Sequence, residues 1–317
     1  MKVLVTGGCG FIGSHLVDGL LAAKYDVVIV DNLSRGRFLW ESSSIKPHLH
    51  KMDIQDRDSL VKIFEEVQPV MVFHLAAHHY IPFCEQNPYE AFATNVTGTL
   101  NVLDACAKTN SVRKFFNAST GDVYAPCGYA HREIDPVSPV YVYGETKLIG
   151  EQAIRRYKSS VAVSFDIIIG RLFNAAGSRE TNPHFLPEVV RQLDAGAQVI
   201  QVGNTWPMRD FVNVRSMANV IQSLTERAVG IDVFNIGSGK VQTVQQALDV
   251  LVKVHGQSVK VVSVDSRKRP NDRPYLCPSV DKLTTALGTA CKSFDAETAR
   301  DIWAEPASTR LLYLPQI

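Results

Sequence analysis

Apolar positions along the first half of the chain follow two alternating rhythms. Short β-branched or apolar runs recur as "KVLVT" at 2–6, "DVVIV" at 26–30, "HLHKM" at 48–52, "VMVFHLA" at 70–76, "KFFNAS" at 114–119 and "FDIIIGRLF" at 165–173. Between them the apolar residues return every three or four positions, which predicts helices over Phe11–Lys24 and near 56–67, 89–108 and 142–158. In the first helix Ile12, Leu16, Leu20 and Ala23 share one face. Several strand runs are continuously apolar rather than alternating, as parallel strands covered on both faces require. Repeated strand–helix–strand units predict an α/β fold with a doubly wound parallel sheet.

After Asn174 the texture changes to loops rich in Pro, Gly and Asn. Helical patterns appear near 185–195, 214–228 and 243–254, with strand-like "DVFNIG" and "VKVVSV". The expected organisation is a sheet unit over 1–174 and a smaller C-terminal α/β portion over 175–317, with about 211–238 returning to the large sheet. No linker, repeat or low-complexity tract interrupts the chain.

Composition narrows the class. The 317 residues are 45% hydrophobic and 21% charged, the balance of a soluble globular protein. Lys and Arg total 33 against 32 Asp and Glu, without a like-charge block, so neither nucleic acid nor an anionic membrane is an expected partner. Six cysteines are scattered with no C-x-x-C pair, which suits reduced thiols rather than disulfides or a zinc site. No apolar run is long enough to span a bilayer, and the first residues already read as strand and turn. The expected location is the cytoplasm.

The stretch "KVLVTGGCGFIGSH" carries Gly7, Gly10 and Gly13 between the first strand and the first helix. Glycines there allow a sharp turn and close backbone approach, and the helix N-terminus offers N–H groups to a pyrophosphate. A turn that binds nothing is the bland alternative. Against it stands Asp31 at the end of the second strand, 18 residues past Gly13, where a carboxylate accepts hydrogen bonds from an adenosine ribose and repels a 2′-phosphate. That favours NAD over NADP, with Arg35 nearby as the opposing charge. Asp53 in "KMDIQD" is placed either to meet an adenine amino group or to cap the next helix.

"SPVYVYGETKLIGEQ" sets Tyr143 and Lys147 four residues apart at the start of a helix, hence on one face. An ammonium beside a phenol favours the phenolate and suits it as a general base. Alone, Y-x-x-x-K also describes a surface pair. The strand "FFNAST" ends in Ser119 and Thr120, at the C-terminal end where a doubly wound sheet binds ligands, and a hydroxyl there could hold the oxygen that Tyr143 deprotonates.

Taken together, "VTGGCGFIGSH", "VDNLSRG", "MDIQD", "FHLAAHH", "TNVTGTLNVLDAC", "NASTGDVYAP", "YVYGETKLIGEQ", "GRLFNAAG", "MRDFVNV", "FNIGSG" and "RPNDRPYLCPSVDKLTTALG" closely resemble the extended short-chain dehydrogenase/reductase family, in its NAD-dependent nucleotide-sugar epimerase/dehydratase branch. The resemblance spans nearly the whole chain and implies a Rossmann sheet. It also implies an NAD site in which Gly7, Gly10, Phe11, Ile12 and Gly13 line the pyrophosphate. Asp31 would hold the ribose and Asp53 the adenine, with Asn32 and Ile54 also at the cofactor. Leu75, Ala76 and Ala77 would pass along the cofactor, with Asn95 supporting it. Thr120, Tyr143 and Lys147 would be catalytic, Lys147 also gripping the nicotinamide ribose. His79, Ser119, Asn174, Arg209, Arg269 and Asp272 would meet a nucleotide-diphosphate sugar. A homodimer is the implied assembly.

Two departures bear on the reaction. Dehydratases of this family carry Thr-Asp-Glu where this chain has Thr120, Gly121 and Asp122, so one acid of the pair is missing. His78 and His79 form an adjacent pair that could ligate a metal but better suits substrate contacts or a packed loop, and no metal is expected. The resulting expectation is an epimerase acting at C4 through a 4-keto sugar. A dehydratase, decarboxylase or reductase sharing the first oxidation is the alternative, and a catalytically silent NAD-binding protein is the rival from another class.

Overall fold

The computed structural model describes residues 1–160, 163–227, 229–268 and 272–312. The first half lays down β1 (Lys2–Thr6), α1 (Phe11–Ala22), β2 (Asp26–Asp31), β3 (His48–Lys51), α2 (Arg57–Val67), β4 (Met71–His74), α3 (Ile81–Gln86), α4 (Pro88–Phe92), α5 (Thr99–Lys108), β5 (Lys114–Thr120), α6 (Val142–Ser160) and β6 (Asp166–Leu172). The second half follows with β7 (Asn174–Ala176), α7 (Phe185–Asp194), β8 (Val199–Val202), β9 (Met208–Arg209), β10 (Phe211–Asn213), α8 (Val214–Arg227), β11 (Ile231–Ile236), β12 (Gln242–Thr243), α9 (Val244–His255), β13 (Lys260–Ser263) and β14 (Tyr275–Leu276). Three short helices close the chain: α10 (Asp281–Leu287), α11 (Ala296–Ala304) and α12 (Ala307–Arg310).

Seven parallel strands form one sheet in the order β11-β6-β5-β4-β1-β2-β3, the doubly wound Rossmann arrangement. Successive residues of each strand enter opposite layers. Val3, Val5, Phe73, Phe116 and Ile168 pack on one side with Leu16 and Leu20 of α1 and Met217 and Ile221 of α8. Leu4, Val72, Phe115, Ile167 and Ile169 pack on the other with Leu60 and Phe64 of α2 and Val102 of α5. Two covered faces explain why the strand runs are continuously apolar.

The stretch 211–238 divides. Its first strand, β10, pairs with β7 outside the large sheet, while α8 lies against α1 and β11 adds the edge strand beside β6. A third core, with Leu186, Val190, Ile200, Leu248, Leu251 and Phe294, belongs to the C-terminal elements. There β13 pairs with β8, and β9 sits between β12 and β14. α9 opens on a reciprocal capping box between Thr243 and Gln246.

The single helix read over 89–108 is three pieces: α4, a π-helical stretch Ala93–Gly98, and α5. Thr99 Oγ1 donates to Asn95 O (2.7 Å), and the tight approach of Gly98 leaves a Cβ there only 2.5 Å from Ile54 Cδ1. The widened turn aims the Asn95 amide inward, towards the end of β4.

Candidate active site

The turn from β1 into α1 is shaped for close backbone approach. Gly7 has φ +71, and a Cβ on it would lie 2.7 Å from Ala76 N; a Cβ on Gly13 would lie 2.1 Å from Gly7 O. Gly10 caps α1, whose first N–H groups face the cleft. Asp31 ends β2 and accepts from Cys9 N (3.0 Å) and Leu33 N (2.8 Å). Burial raises its carboxyl above the usual range, against the lowering by these two N–H groups. Asn32 Nδ2 donates to Asp53 Oδ2 (2.8 Å), and Asp53 Oδ1 also accepts from Gln55 N (2.9 Å), so Asp53 closes a loop as well as facing the cleft. Arg35 lies 5.0 Å over the Phe83 ring, a cation–π contact at the mouth of this cradle. A glycine turn no side chain could replace, followed by a carboxylate at the end of β2, fits an adenine dinucleotide without a 2′-phosphate.

Beyond the C-terminal ends of β5 and β6 the reactive side chains meet. Thr120 Oγ1 accepts from Asp122 N (3.2 Å) and hydrogen-bonds the Tyr143 phenol, which favours the phenolate. The balance at Tyr143 nevertheless runs upward, because burial and the Asp122 charge outweigh Thr120. Removing water from the ring costs the charged form more than the Thr120 hydrogen bond returns. Lys147 is pushed down to about 8 by burial, opposed by the Glu151 carboxylate.

A cavity of about 680 Å³ connects the cradle with these groups and with the C-terminal portion. It is lined by Gly7, Gly10, Phe11, Ile12, Gly13, Asp31, Asn32, Asp53, Ile54 and Leu75–Ala77 at one end, and by Ser119, Thr120, Tyr143 and Lys147 at the centre. His79, Asn174, Arg209 and Asp272 line the rest. Arg209 Nη2 donates to Asp272 Oδ1 (2.9 Å), which orients the guanidinium. Arg269, expected beside them, lies outside the described residues.

A sequence model of the NAD dependent epimerase/dehydratase family matches residues 3–237. The chain belongs to that family. UDP-glucose 4-epimerase 4 of Oryza sativa subsp. japonica is 29% identical over 95% of this chain and 89% of its own length. The UDP-glucose 4-epimerase of Thermotoga maritima, solved with UDP-glucose, superposes with a TM-score of 0.86 at 28% identity, covering 95% of this chain and 97% of that one. The Thermus thermophilus enzyme, solved with NAD, gives 0.83 at 28% identity over 95% and 97%.

Within this epimerase/dehydratase frame two expected ligands are turned elsewhere. Asn95 is buried and does not line the cavity. Its Oδ1 accepts from His78 N (2.8 Å), and its Nδ2 donates to His78 O (2.9 Å) and Thr146 Oγ1 (3.0 Å), so it ties the loop after β4 to α6. Ser119 lines the cavity, yet its hydroxyl donates to Glu151 Oε1 (2.5 Å). The missing acid also has a structural reason: a Cβ on Gly121 would stand 2.9 Å from Phe173 Cε1. Sequence reading missed Glu180, Asn182 and His184, which line the cavity from the loop after β7. No periodicity marks that loop, and only its fold-back against His79 reveals it.

Proposed function

We propose that the protein is an NAD-dependent epimerase of a nucleotide-diphosphate hexose, acting at C4, with a UDP-sugar as substrate. The observation that carries this reading is the meeting of Thr120, Tyr143 and Lys147 over the glycine cradle, in a chain whose relatives are named UDP-glucose 4-epimerases. When bound, NAD supplies a hydride acceptor and donor at C4, and its positive nicotinamide favours the phenolate.

Tyr143 takes the proton of the C4 hydroxyl and later returns it. Thr120 positions that hydroxyl and steadies the phenolate by hydrogen bonding. Lys147, from the same face of α6, adds positive charge beside the phenol and a donor for the nicotinamide ribose. Gly7, Gly10 and Gly13 receive the pyrophosphate, and Asp31 the ribose hydroxyls. Arg209, oriented by Asp272, grips the substrate diphosphate through its planar fork. A firm hold on the nucleotide leaves the 4-keto sugar able to turn its other face to the cofactor. Gly121 packed against Phe173 removes one acid of the dehydratase pair, which weighs against water elimination.

The reading extends to a homodimer in the cytoplasm. Among the described residues no helix is long and apolar enough to cross a membrane, and sedimentation of the purified chain tests the dimer. For the activity, the protein is incubated with UDP-glucose, UDP-galactose and their N-acetylamino forms and followed by proton NMR. Growth of the C4 epimer to a constant ratio from either side is the expected result. No interconversion of any UDP-, dTDP-, GDP- or CDP-hexose would remove the reading.

A further inference from the structure

The cleft holds a second donor set that the hydride chemistry does not use. His79 comes from the loop after β4, and Glu180 and His184 from the loop between β7 and α7. One ligand atom from each lies within 4.8 Å of the others, and His79 Nε2 is 3.9 Å from Glu180 Oε1. Glu180 is only 4% exposed, and its Oε1 accepts from Thr181 N (2.8 Å) and Asn182 N (3.2 Å).

The carboxylate is set in a stiff support. Arg179, just before it, adopts a left-handed backbone (φ +68) and is anchored to Asp18 (2.7 Å) and Glu305 (3.1 Å). His15 Nε2 meets Ser178 O (3.0 Å), and Glu180 O accepts from Leu312 N (2.7 Å). On the open side, Asn182 Nδ2 donates to His79 Nε2 (3.2 Å). The His79 side chain is 35% exposed and so has room to swing.

We infer that His79, Glu180 and His184 bind one divalent cation of the zinc type. Two imidazoles and a carboxylate are the donors of open zinc sites, with metal–ligand bonds of about 2.0–2.2 Å. Tetrahedral geometry at those lengths places donors about 3.3 Å apart, so donors that lie within 4.8 Å of one another close by at most about 1.5 Å on loading. Three protein donors leave the fourth position facing the cleft, because all three residues line it. This site stands independently of the epimerase reading, since its test measures metal and not turnover.

The full-length chain, stripped with chelator, is titrated with Co²⁺ and then Zn²⁺. One equivalent of Co²⁺ is expected to give visible ligand-field bands that Zn²⁺ displaces, and a chromophoric chelator reports the affinity. His79→Ala and His184→Ala should each weaken binding at least about 10-fold and erase the bands. Glu180→Gln removes a buried support, so the histidine variants, checked by circular dichroism, carry the test. His48 and His50, on one face of β3, serve as the surface control: their joint replacement by Ala should change nothing. Binding that survives the His79/His184 double variant, or that vanishes only with His48 and His50, overturns the site. So does a wild-type chain that binds no Co²⁺ or Zn²⁺.

Discussion

Lys147 and Glu151 lie one turn apart on α6, buried together behind the reactive hydroxyls. Glu151 is itself fixed by Arg171, at 2.7 and 3.0 Å, and by Ser119. Burial pushes Lys147 down to about 8 and Glu151 pulls it up. The ammonium is the useful form, so activity should fall as pH rises through about 8. Glu151→Gln removes the upward pull and should move that alkaline limb of kcat/KM to lower pH. A limb that stays in place would detach Glu151 from Lys147.

With Tyr143 as the proposed base, Tyr143→Phe should lower kcat by about 10²–10⁴-fold while substrate binding stays near normal. Asp122 raises the phenol's pKa, and Arg273 sits 3.6 Å from Asp122. Asp122→Asn takes away that negative charge and leaves Arg273 nearby. Both effects favour the phenolate, so the acidic limb should shift to lower pH. Steady-state rates across pH 5–10 read both variants, and near-wild-type turnover of Tyr143→Phe would transfer the role elsewhere.

Cofactor choice follows from Asp31. Its carboxylate is held in place by Cys9 N and Leu33 N, and Arg35 is engaged over Phe83. A 2′-phosphate brought to that position would meet the carboxylate before a free guanidinium. NAD should therefore bind much more tightly than NADP to cofactor-free protein, and Asp31→Asn should narrow the gap. Calorimetry with both dinucleotides measures it, and equal affinities in the wild type would assign the control to Arg35.

Arg209 should act on the substrate and not on the cofactor. Charge-assisted hydrogen bonds contribute about 1.5–3 kcal/mol each, so Arg209→Ala is expected to raise KM for a nucleotide sugar roughly 10- to 150-fold. Asp272→Asn loosens the 2.9 Å contact that aims the guanidinium and should give a smaller rise. The dissociation constant for NAD should not move in either variant. A KM unchanged in both would place the diphosphate elsewhere in the cleft.

The glycine cradle and the Tyr143/Lys147 pair were legible because each depends on local spacing: a tight turn between strand and helix, and one turn of a helix. The parallel sheet was legible from its continuously apolar strands. What depended on long-range packing was not. The inward turn of Asn95 follows from a π-helical stretch that no period reveals, and the direction of the Ser119 hydroxyl follows from Glu151, 32 residues away. The Glu180–His184 loop meets His79 only through the fold, across 103 residues between Asn182 and His79. Nor could the sequence show that burial and the Asp122 charge outweigh Thr120 at the Tyr143 phenol.

The fate of the 4-keto sugar separates an epimerase from its neighbours in chemistry. An epimerase returns the hydride it removed, so the dinucleotide ends each cycle as it began, without a second substrate. Dehydration instead requires an acid for the leaving hydroxyl and a base for the C5 proton. In this chain Asp122 stands at one of those positions, while Gly121 occupies the other and has no space for a carboxylate, since even a Cβ would press on the Phe173 ring at 2.9 Å. The C5–H bond should thus stay closed to exchange while the sugar turns. Turnover in deuterated water is expected to give product with no carbon-bound deuterium and no net change in reduced-nicotinamide absorbance. Deuterium at C5 or C6 with loss of water would establish a dehydratase. Steady consumption of reduced dinucleotide would establish a reductase, and carbon dioxide from a uronic acid would establish a decarboxylase.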